Sequence, residues 1–209
     1  MNFVESDHPA VVAFAEEATA GASSERDKAI ALYYAVRDGI RYDPYSMSED
    51  PDTYRSSTVI KNGAAYCIPK AVLLCGAARA AGIPARLGFA DVRNHLTSPK
   101  LSERLGGADL FIWHGYTELS LEGRWVKVTP AFNIELCERF GVRPLDFDGE
   151  RDALFHPYTA DGRAHMEYVQ YRGTYEELPL GDIMADFRRA YPRVFQELAP
   201  VVDAAFNPA

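Results

Sequence analysis

A helix that must begin at a cysteine constrains this sequence more than any other feature. The segment from Cys67 to Gly82 is apolar and carries a narrow stripe of small residues, which predicts a helix packed closely inside the domain. Pro69 fits an α-helix only in the first turn, where its missing N–H costs nothing, so the helix begins at or just before Cys67. Gly82 and Pro84 are the usual stop signals for such a helix. We therefore expect Cys67 at the positive end of a buried helix dipole.

A β-hairpin is predicted further along the chain. Two β-rich runs, residues 110–119 and 125–129, lie on either side of Glu122-Gly123. If the loop consists of these two residues, Glu118 faces Lys127, and this opposite-charge pair supports the register. The sequence therefore predicts an antiparallel pair of strands after the cysteine helix.

Further helices and strands are predicted around these two features. Helical patterns cover residues 9–20 and 24–39, and strand patterns cover residues 85–92 and 165–175. Residues 41–65 show no periodicity, and a loop of this length inside a domain is usually functional. We interpret it as a candidate wall of a cleft.

Composition and charge exclude several classes of protein. Hydrophobic residues make up 47% of the chain and charged residues 25%, a balance typical of folded globular proteins. The net charge of −8 disfavours binding to nucleic acid or to an anionic membrane surface, and no segment is apolar enough to span a membrane. The cysteines, Cys67, Cys75 and Cys137, contain no Cys-x-x-Cys motif, and no secretory signal is recognisable. These features favour the reducing cytoplasm and leave the oligomeric state open.

Cys67 and His114 are the candidate catalytic residues. The N–H groups at a helix N-terminus lower the pKa of a cysteine, and a neighbouring imidazolium lowers it further. Of the five histidines, only His114 lies centrally in a strongly predicted strand that a second strand follows. A cysteine on a helix and a histidine on a facing strand form the pair used in covalent acyl transfer. The backbone N–H of Cys67 would also point at the oxyanion formed in this reaction.

The motifs around these residues resemble the transglutaminase-like superfamily. Gly63 lies shortly before Cys67, and Gly-Ile-Pro-Ala-Arg ends the helix at residues 82–86. Trp-His-Gly-Tyr-Thr-Glu at residues 113–118 then precedes Trp-Val-Lys-Val at residues 125–128. The resemblance implies an α+β fold with a papain-like, transglutaminase-like core, in which the nucleophile helix packs on an antiparallel β-sheet.

The resemblance also implies a division of the chain and a set of catalytic roles. We expect a single transglutaminase-like domain over residues 1–209, with its core at about 24–140 and a C-terminal elaboration at about 141–209. By the resemblance, Cys67 matches the nucleophile and His114 matches the base of a Cys–His–Asp triad.

The third member of the triad departs from the family pattern. Where the family has Asp-Pro after the tryptophan-containing strand, this chain has Thr129-Pro130. The hairpin register puts Thr129 on the same face as His114, and a hydroxyl can accept the imidazole N–H without carrying a charge. Asn133 is a second candidate, because an amide oxygen orients the histidine in Cys–His–Asn sites. The alignment favours Thr129, with Asn133 as the alternative.

The expected activity is that of a cysteine hydrolase or acyltransferase acting on amide bonds, including peptide bonds. Cys67 attacks the carbonyl, His114 moves the proton, and an acyl-enzyme forms. The expected partner is a peptide, a protein or a small amide substrate. The alternative is a catalytically inactive binding module of the same fold, because the usual aspartate is replaced by Thr129. A redox-sensing thiol at Cys67 is a third hypothesis.

No metal or other cofactor is expected. His156 and His165, with Asp161 between them, lie too far apart in sequence for the helical histidine pair of a zinc site. The chain also contains no Gly-rich motif typical of nucleotide binding. The predicted chemistry therefore depends on side chains alone.

Overall fold

The structure is a computed structural model that describes residues 1–94, 97–154 and 166–196, together with residues 203, 205 and 206. Within these residues the chain alternates between helices and strands. In chain order they are α1 (Pro9–Thr19), α2 (Glu25–Gly39), β1 (Arg41–Tyr42), α3 (Ser56–Asn62), β2 (Ala64–Ala65), α4 (Cys67–Ala80), β3 (Ala85–Asn94), α5 (Pro99–Arg104), β4 (Leu110–Leu121), β5 (Arg124–Val128), α6 (Ile134–Phe140), β6 (Met166–Tyr175), α7 (Leu180–Ala190) and α8 (Pro192–Gln196). The predicted α+β class with an antiparallel sheet is confirmed.

Four of the strands form the main antiparallel sheet, in the order β5-β4-β3-β6. The predicted hairpin register is confirmed, because Glu118 faces Lys127 across β4 and β5. Regular pairing between these strands ends at Thr117 and Val128, so Thr129 lies one residue beyond the paired part of the hairpin. Whether Thr129 lies on the same face of the sheet as His114 therefore depends on the path of the chain after β5.

Helix α4 is the centre of the hydrophobic core. Every residue from Cys67 to Ala78 is buried. Helices α1, α2 and α3 pack against it, and β3 and β4 contact it as well. The helix begins at Cys67, as Pro69 predicts, and the backbone turns into a positive φ of 85° at Gly82 after its last turn. A long apolar helix with no polar face can only be stable in this central position.

The region predicted as an aperiodic loop, residues 41–65, is more regular than expected. It contains α3 and the two short strands β1 and β2, which pair in parallel. Helix α3 is short and polar, and it ends at Gly63, whose φ of 63° is left-handed. Its buried residue Val59 packs in the core, and α3 contacts α4, so tertiary packing stabilises a helix that the sequence pattern does not reveal.

Some predictions fall on residues that the structure does not describe. His156, His165 and Asp161, whose spacing does not fit a helical zinc site, lie outside the described residues. Among the residues that are described, no group of His, Cys, Asp and Glu side chains is arranged to hold a metal ion. No helix in the described ranges is both long and apolar enough to cross a membrane.

Candidate active site

Cys67 and His114 line the same pocket. Cys67 is the first residue of α4, and His114 lies on the neighbouring strand β4. The pocket between them has an empty volume of about 430 Å³. Cys67 is only 8% exposed and His114 only 4% exposed, so both face the pocket rather than bulk solvent. The structure therefore brings together the two residues that the sequence analysis singled out as nucleophile and base.

The close approach of β4 to α4 depends on a glycine. A Cβ atom at Gly115 would lie 3.0 Å from the Cα of Ile68 and 3.4 Å from the carbonyl oxygen of Cys67. The absence of a side chain allows this close approach, and the backbone N–H of Gly115 lowers the pKa of the Cys67 thiol. The residue after the candidate base thus contacts the candidate nucleophile directly.

Burial raises the pKa of the Cys67 thiol to about 11. Desolvation is the largest effect, and it outweighs the hydrogen bonds from the backbone N–H groups of Gly115, Ile68 and Cys67 itself, each of which lowers the pKa. The prediction of a low pKa for Cys67 is therefore wrong, although the N–H groups at the helix N-terminus do lower this pKa as expected. At neutral pH the thiol keeps its proton unless a base removes it.

A β-bulge lies directly before His114. Along β3, Ala90 pairs with His114 and Val92 pairs with Phe111, so two residues of β4 lie opposite Asp91 alone. One of them, Trp113, has a left-handed φ of 57°, which is uncommon for a residue with a side chain. The bulge sets the direction of the β4 backbone at His114.

Two side chains accept the N–H groups that the bulge removes from strand pairing. Asp91 accepts the N–H of Trp113 at 3.0 Å, and the hydroxyl of Tyr191 accepts the N–H of Ile112 at 2.8 Å. The same hydroxyl donates to the carbonyl oxygen of Leu110 at 2.7 Å. Because unpaired buried N–H groups are costly, these contacts stabilise the irregular backbone beside His114.

A charged network extends from the bulge to the sheet edge. Arg172 of β6 binds both carboxylate oxygens of Asp91 at 2.7 Å and one oxygen of Asp186 at 2.7 Å. The indole N–H of Trp113 donates to Asp186 at 2.8 Å, and the Arg172 guanidinium lies 5.1 Å from the centroid of the Trp113 ring. The hydrogen bond from Trp113 and the charge of Arg172 lower the pKa of Asp186. Trp113 is therefore fixed through both its backbone and its side chain.

Thr129 and Asn133, the two candidates for the third triad position, have different surroundings. Thr129 is 5% exposed, and its Oγ1 atom has no hydrogen-bond partner within the part of the chain that the structure describes. The amide oxygen of Asn133 accepts the N–H of Tyr42 at 3.0 Å, and its nitrogen donates to Glu135 at 2.6 Å. Neither residue is among the described residues that line the pocket shared by Cys67 and His114. The acceptor of Asn133 is already used in the structure, whereas that of Thr129 is not.

Lys70 is a buried cation that the sequence analysis did not single out. It lies on the first turns of α4, is 0% exposed, and donates hydrogen bonds to the carbonyl oxygens of Arg37, at 2.9 Å, and Ile40. Burial lowers its pKa to about 7. These bonds tie the end of α2 to the helix that begins at Cys67. The sequence shows a lysine three positions after Cys67, but the apolar residues around it do not indicate which groups the lysine binds.

Comparisons with known proteins identify the family. A model of the transglutaminase-like superfamily matches residues 12–130. A "putative cysteine protease" from Cytophaga hutchinsonii is similar in structure, with 16% identity and a TM-score of 0.49, covering 84% of this chain and 51% of that chain. A "putative protease" from Parabacteroides distasonis has 19% identity and a TM-score of 0.43, covering 60% of this chain and 24% of that one. This chain thus spans about half or less of the length of either protein. No curated protein matches the sequence.

Proposed function

This chain belongs to the transglutaminase-like superfamily, and we propose that it is a cysteine-dependent acyl hydrolase or acyltransferase. Cys67 is the nucleophile and His114 is the general base of this proposal. The observation that carries it is the shared pocket that is lined both by Cys67, the first residue of α4, and by His114 on β4, each of them buried. The substrate is an amide of a peptide, a protein or a small molecule.

The reaction begins with proton transfer, because burial keeps the thiol protonated. His114 takes the proton of Cys67 as the sulfur attacks the carbonyl carbon, and a carbon–sulfur bond forms. The backbone N–H groups of Gly115 and Ile68, which lower the pKa of Cys67, favour the thiolate that forms as the proton leaves. The carbon–nitrogen bond then breaks, and His114 gives its proton to the leaving amine.

Water or an amine completes the cycle. His114 removes a proton from the second nucleophile, which attacks the thioester and releases Cys67 as a thiol. We favour water, because it is always present whereas transfer to an amine requires a dedicated binding site. A hydrolase is therefore the first form of the proposal and an acyltransferase is the second.

Thr129 is the proposed partner that orients the His114 ring. Its buried hydroxyl makes no hydrogen bond within the described part of the chain and so retains its capacity to accept one from the imidazole. Asn133 is the weaker candidate, because its amide already bonds to Tyr42 and Glu135. A hydroxyl stabilises an imidazolium less than a carboxylate does, so we expect slower chemistry than in family members that have an aspartate.

The competing hypothesis is an inactive binding module with the same fold. The uncharged Thr129 and the raised pKa of Cys67 are the observations in its favour. The two hypotheses differ in whether Cys67 forms a covalent acyl intermediate.

The experiment is a rapid-mixing assay with p-nitrophenyl butyrate, an activated ester. We expect a burst of p-nitrophenolate equal to the enzyme concentration and one butyryl group on Cys67 by peptide mass spectrometry. The burst disappears in Cys67→Ala. Cys137→Ala is the matched control, because Cys137 is also buried and free but lies on α6, away from the pocket. A burst that persists in Cys67→Ala would rule out Cys67 as the nucleophile, and no acylation in the folded wild-type protein would favour the binding module.

A further inference from the structure

The pocket beside Cys67 has walls that consist almost entirely of hydrocarbon. Pro44 and Met47 contribute from the segment after β1, Leu105 from the end of α5 and Phe187 from α7. No Asp, Glu, Lys or Arg is among the described residues that line it. Although the protein has a net charge of −8, the described residues of this pocket wall carry no charged side chain.

Two of the three tyrosine hydroxyls at the pocket, those of Tyr66 and Tyr191, are engaged elsewhere. The hydroxyl of Tyr66 donates to that of Tyr54 at 3.1 Å. The hydroxyl of Tyr191 is bonded to Leu110 and Ile112 on β4. A charged group that entered the pocket would lose its hydration and would find no opposite charge among the described residues that line it. The pocket therefore selects against such groups.

The enclosed position of the sulfur indicates which part of a substrate the pocket holds. After the first step the acyl group remains attached to Cys67, whereas the leaving group must reach solvent. Cys67 is only 8% exposed, and the pocket borders it directly. The part that stays on the sulfur is thus the part that the hydrocarbon walls must accommodate.

We infer that the acyl group accepted by Cys67 is uncharged and apolar. This inference rests on the proposed acyl transfer and specifies its substrate class. The thiol of Cys67 is exchanged for a thioester to an apolar acyl group, the leaving amine or alcohol takes the proton, and water later yields the apolar carboxylic acid.

The test compares p-nitrophenyl esters that differ only in the acyl group. The panel is the acetyl, pentanoyl, 3-phenylpropanoyl and succinyl esters, and each kcat/KM is divided by the rate of spontaneous hydrolysis of the same ester. We expect the pentanoyl and 3-phenylpropanoyl esters to exceed the succinyl ester by at least about 100-fold, and the acetyl ester by about tenfold or more. Pentanoyl and succinyl are similar in length, so their ratio reports the charge.

A pocket variant provides a second readout. Met47 is partly buried on the pocket wall, and Met47→Lys introduces a cation that can pair with the succinyl carboxylate. We expect the ratio of pentanoyl to succinyl rates to fall by at least about tenfold in this variant. Met47→Leu is the control, in which the ratio stays within about threefold of the wild type. Thermal unfolding of each variant shows whether it is folded.

The outcomes distinguish the two levels of the proposal. Equal rates of Cys67 acylation by all four esters would overturn the apolar selectivity and leave the acyl-transfer proposal standing. A preference for the succinyl ester would do the same. The absence of acylation at Cys67 with every ester would overturn both. If Met47→Lys fails to fold, the wild-type panel alone still decides the selectivity.

Discussion

The carboxylate of Asp91 accepts the backbone N–H of Trp113 at 3.0 Å, and Trp113 is the residue immediately before His114. Asp91 lies on β3 opposite the bulge of β4, where Trp113 adopts a left-handed φ of 57°. Such backbone costs of the order of 1–3 kcal/mol and persists only where its surroundings hold it. The orientation of the candidate base is thus coupled to a buried carboxylate on the adjacent strand.

Asp91→Asn tests this coupling. The amide keeps the shape and one acceptor oxygen but removes the charge that binds Arg172, so we expect a loss of about 1–3 kcal/mol in the free energy of unfolding, measured with urea. We also expect acylation of Cys67 by p-nitrophenyl butyrate to slow by about tenfold under conditions where the variant is folded.

The control for Asp91→Asn is an ion pair far from His114. Glu176→Gln breaks the contact of an exposed glutamate with Arg79, and we expect a stability change of at most about 1 kcal/mol and unchanged acylation. A folded Asp91→Asn variant with the full rate of acylation would show that the bulge network stabilises the sheet without positioning His114.

Thr129→Val examines the proposed third member of the triad. Because Oγ1 has no partner in the described part of the chain, its replacement by a methyl group should leave the free energy of unfolding within about 1 kcal/mol of the wild type. If the hydroxyl orients His114, acylation of Cys67 slows by at least about tenfold, and Thr129→Ser restores most of the rate. A full rate in Thr129→Val would exclude Thr129 from this role.

The lowered pKa of Lys70 predicts how the free energy of unfolding changes with pH. Its pKa of about 7 in the folded protein lies below the ordinary value of 10.5, so between these values the unfolded chain binds more protons than the folded chain. Stability should therefore rise with pH above about 7, by at most about 1.4 kcal/mol per pH unit from this one group.

Lys70→Met removes this dependence. We expect the urea-derived free energy of unfolding of the variant to change less between about pH 7 and pH 8.5 than that of the wild type. Lys61→Met, which alters an exposed lysine on α3, should keep the wild-type slope. Equal slopes in Lys70→Met and the wild type would indicate that Lys70 is charged in the folded protein throughout this range.

The parts of the fold that the sequence predicts carry local signals. Pro69 fixes the start of α4, Gly82 marks its end, and Glu122-Gly123 fixes the hairpin and its register. Each signal acts through the backbone of a few neighbouring residues, so no tertiary information is needed. The meeting of Cys67 with His114 also follows from these elements together with the family resemblance.

The short helices are predictable only with the tertiary structure. α3, α5 and α6 are each too short to be stable as isolated helices. Helix α3, for example, is stabilised by its contacts with α1 and α4. Such contacts leave no periodic pattern in seven residues or fewer.

The contacts around the candidate site could not be predicted from the sequence. Asp91 lies on β3, 81 residues before Arg172 on β6, and the fold brings both of them together with Asp186 of α7 around Trp113. The pKa of Cys67 depends on how completely the thiol is desolvated, which a sequence pattern does not quantify.

The most direct test of the proposed pair is the pH dependence of Cys67 alkylation by iodoacetamide in the wild type and in His114→Gln. Modification of Cys67 is followed by peptide mass spectrometry from about pH 5 to pH 10, with the buried Cys75 as an internal reference. We expect a shoulder of reactivity near neutral pH in the wild type, where a histidine can take the proton. In His114→Gln the shoulder should disappear, and the rate should rise steadily toward the thiol pKa of about 11. Superimposable profiles in the two proteins would contradict the assignment of His114 as the base for Cys67.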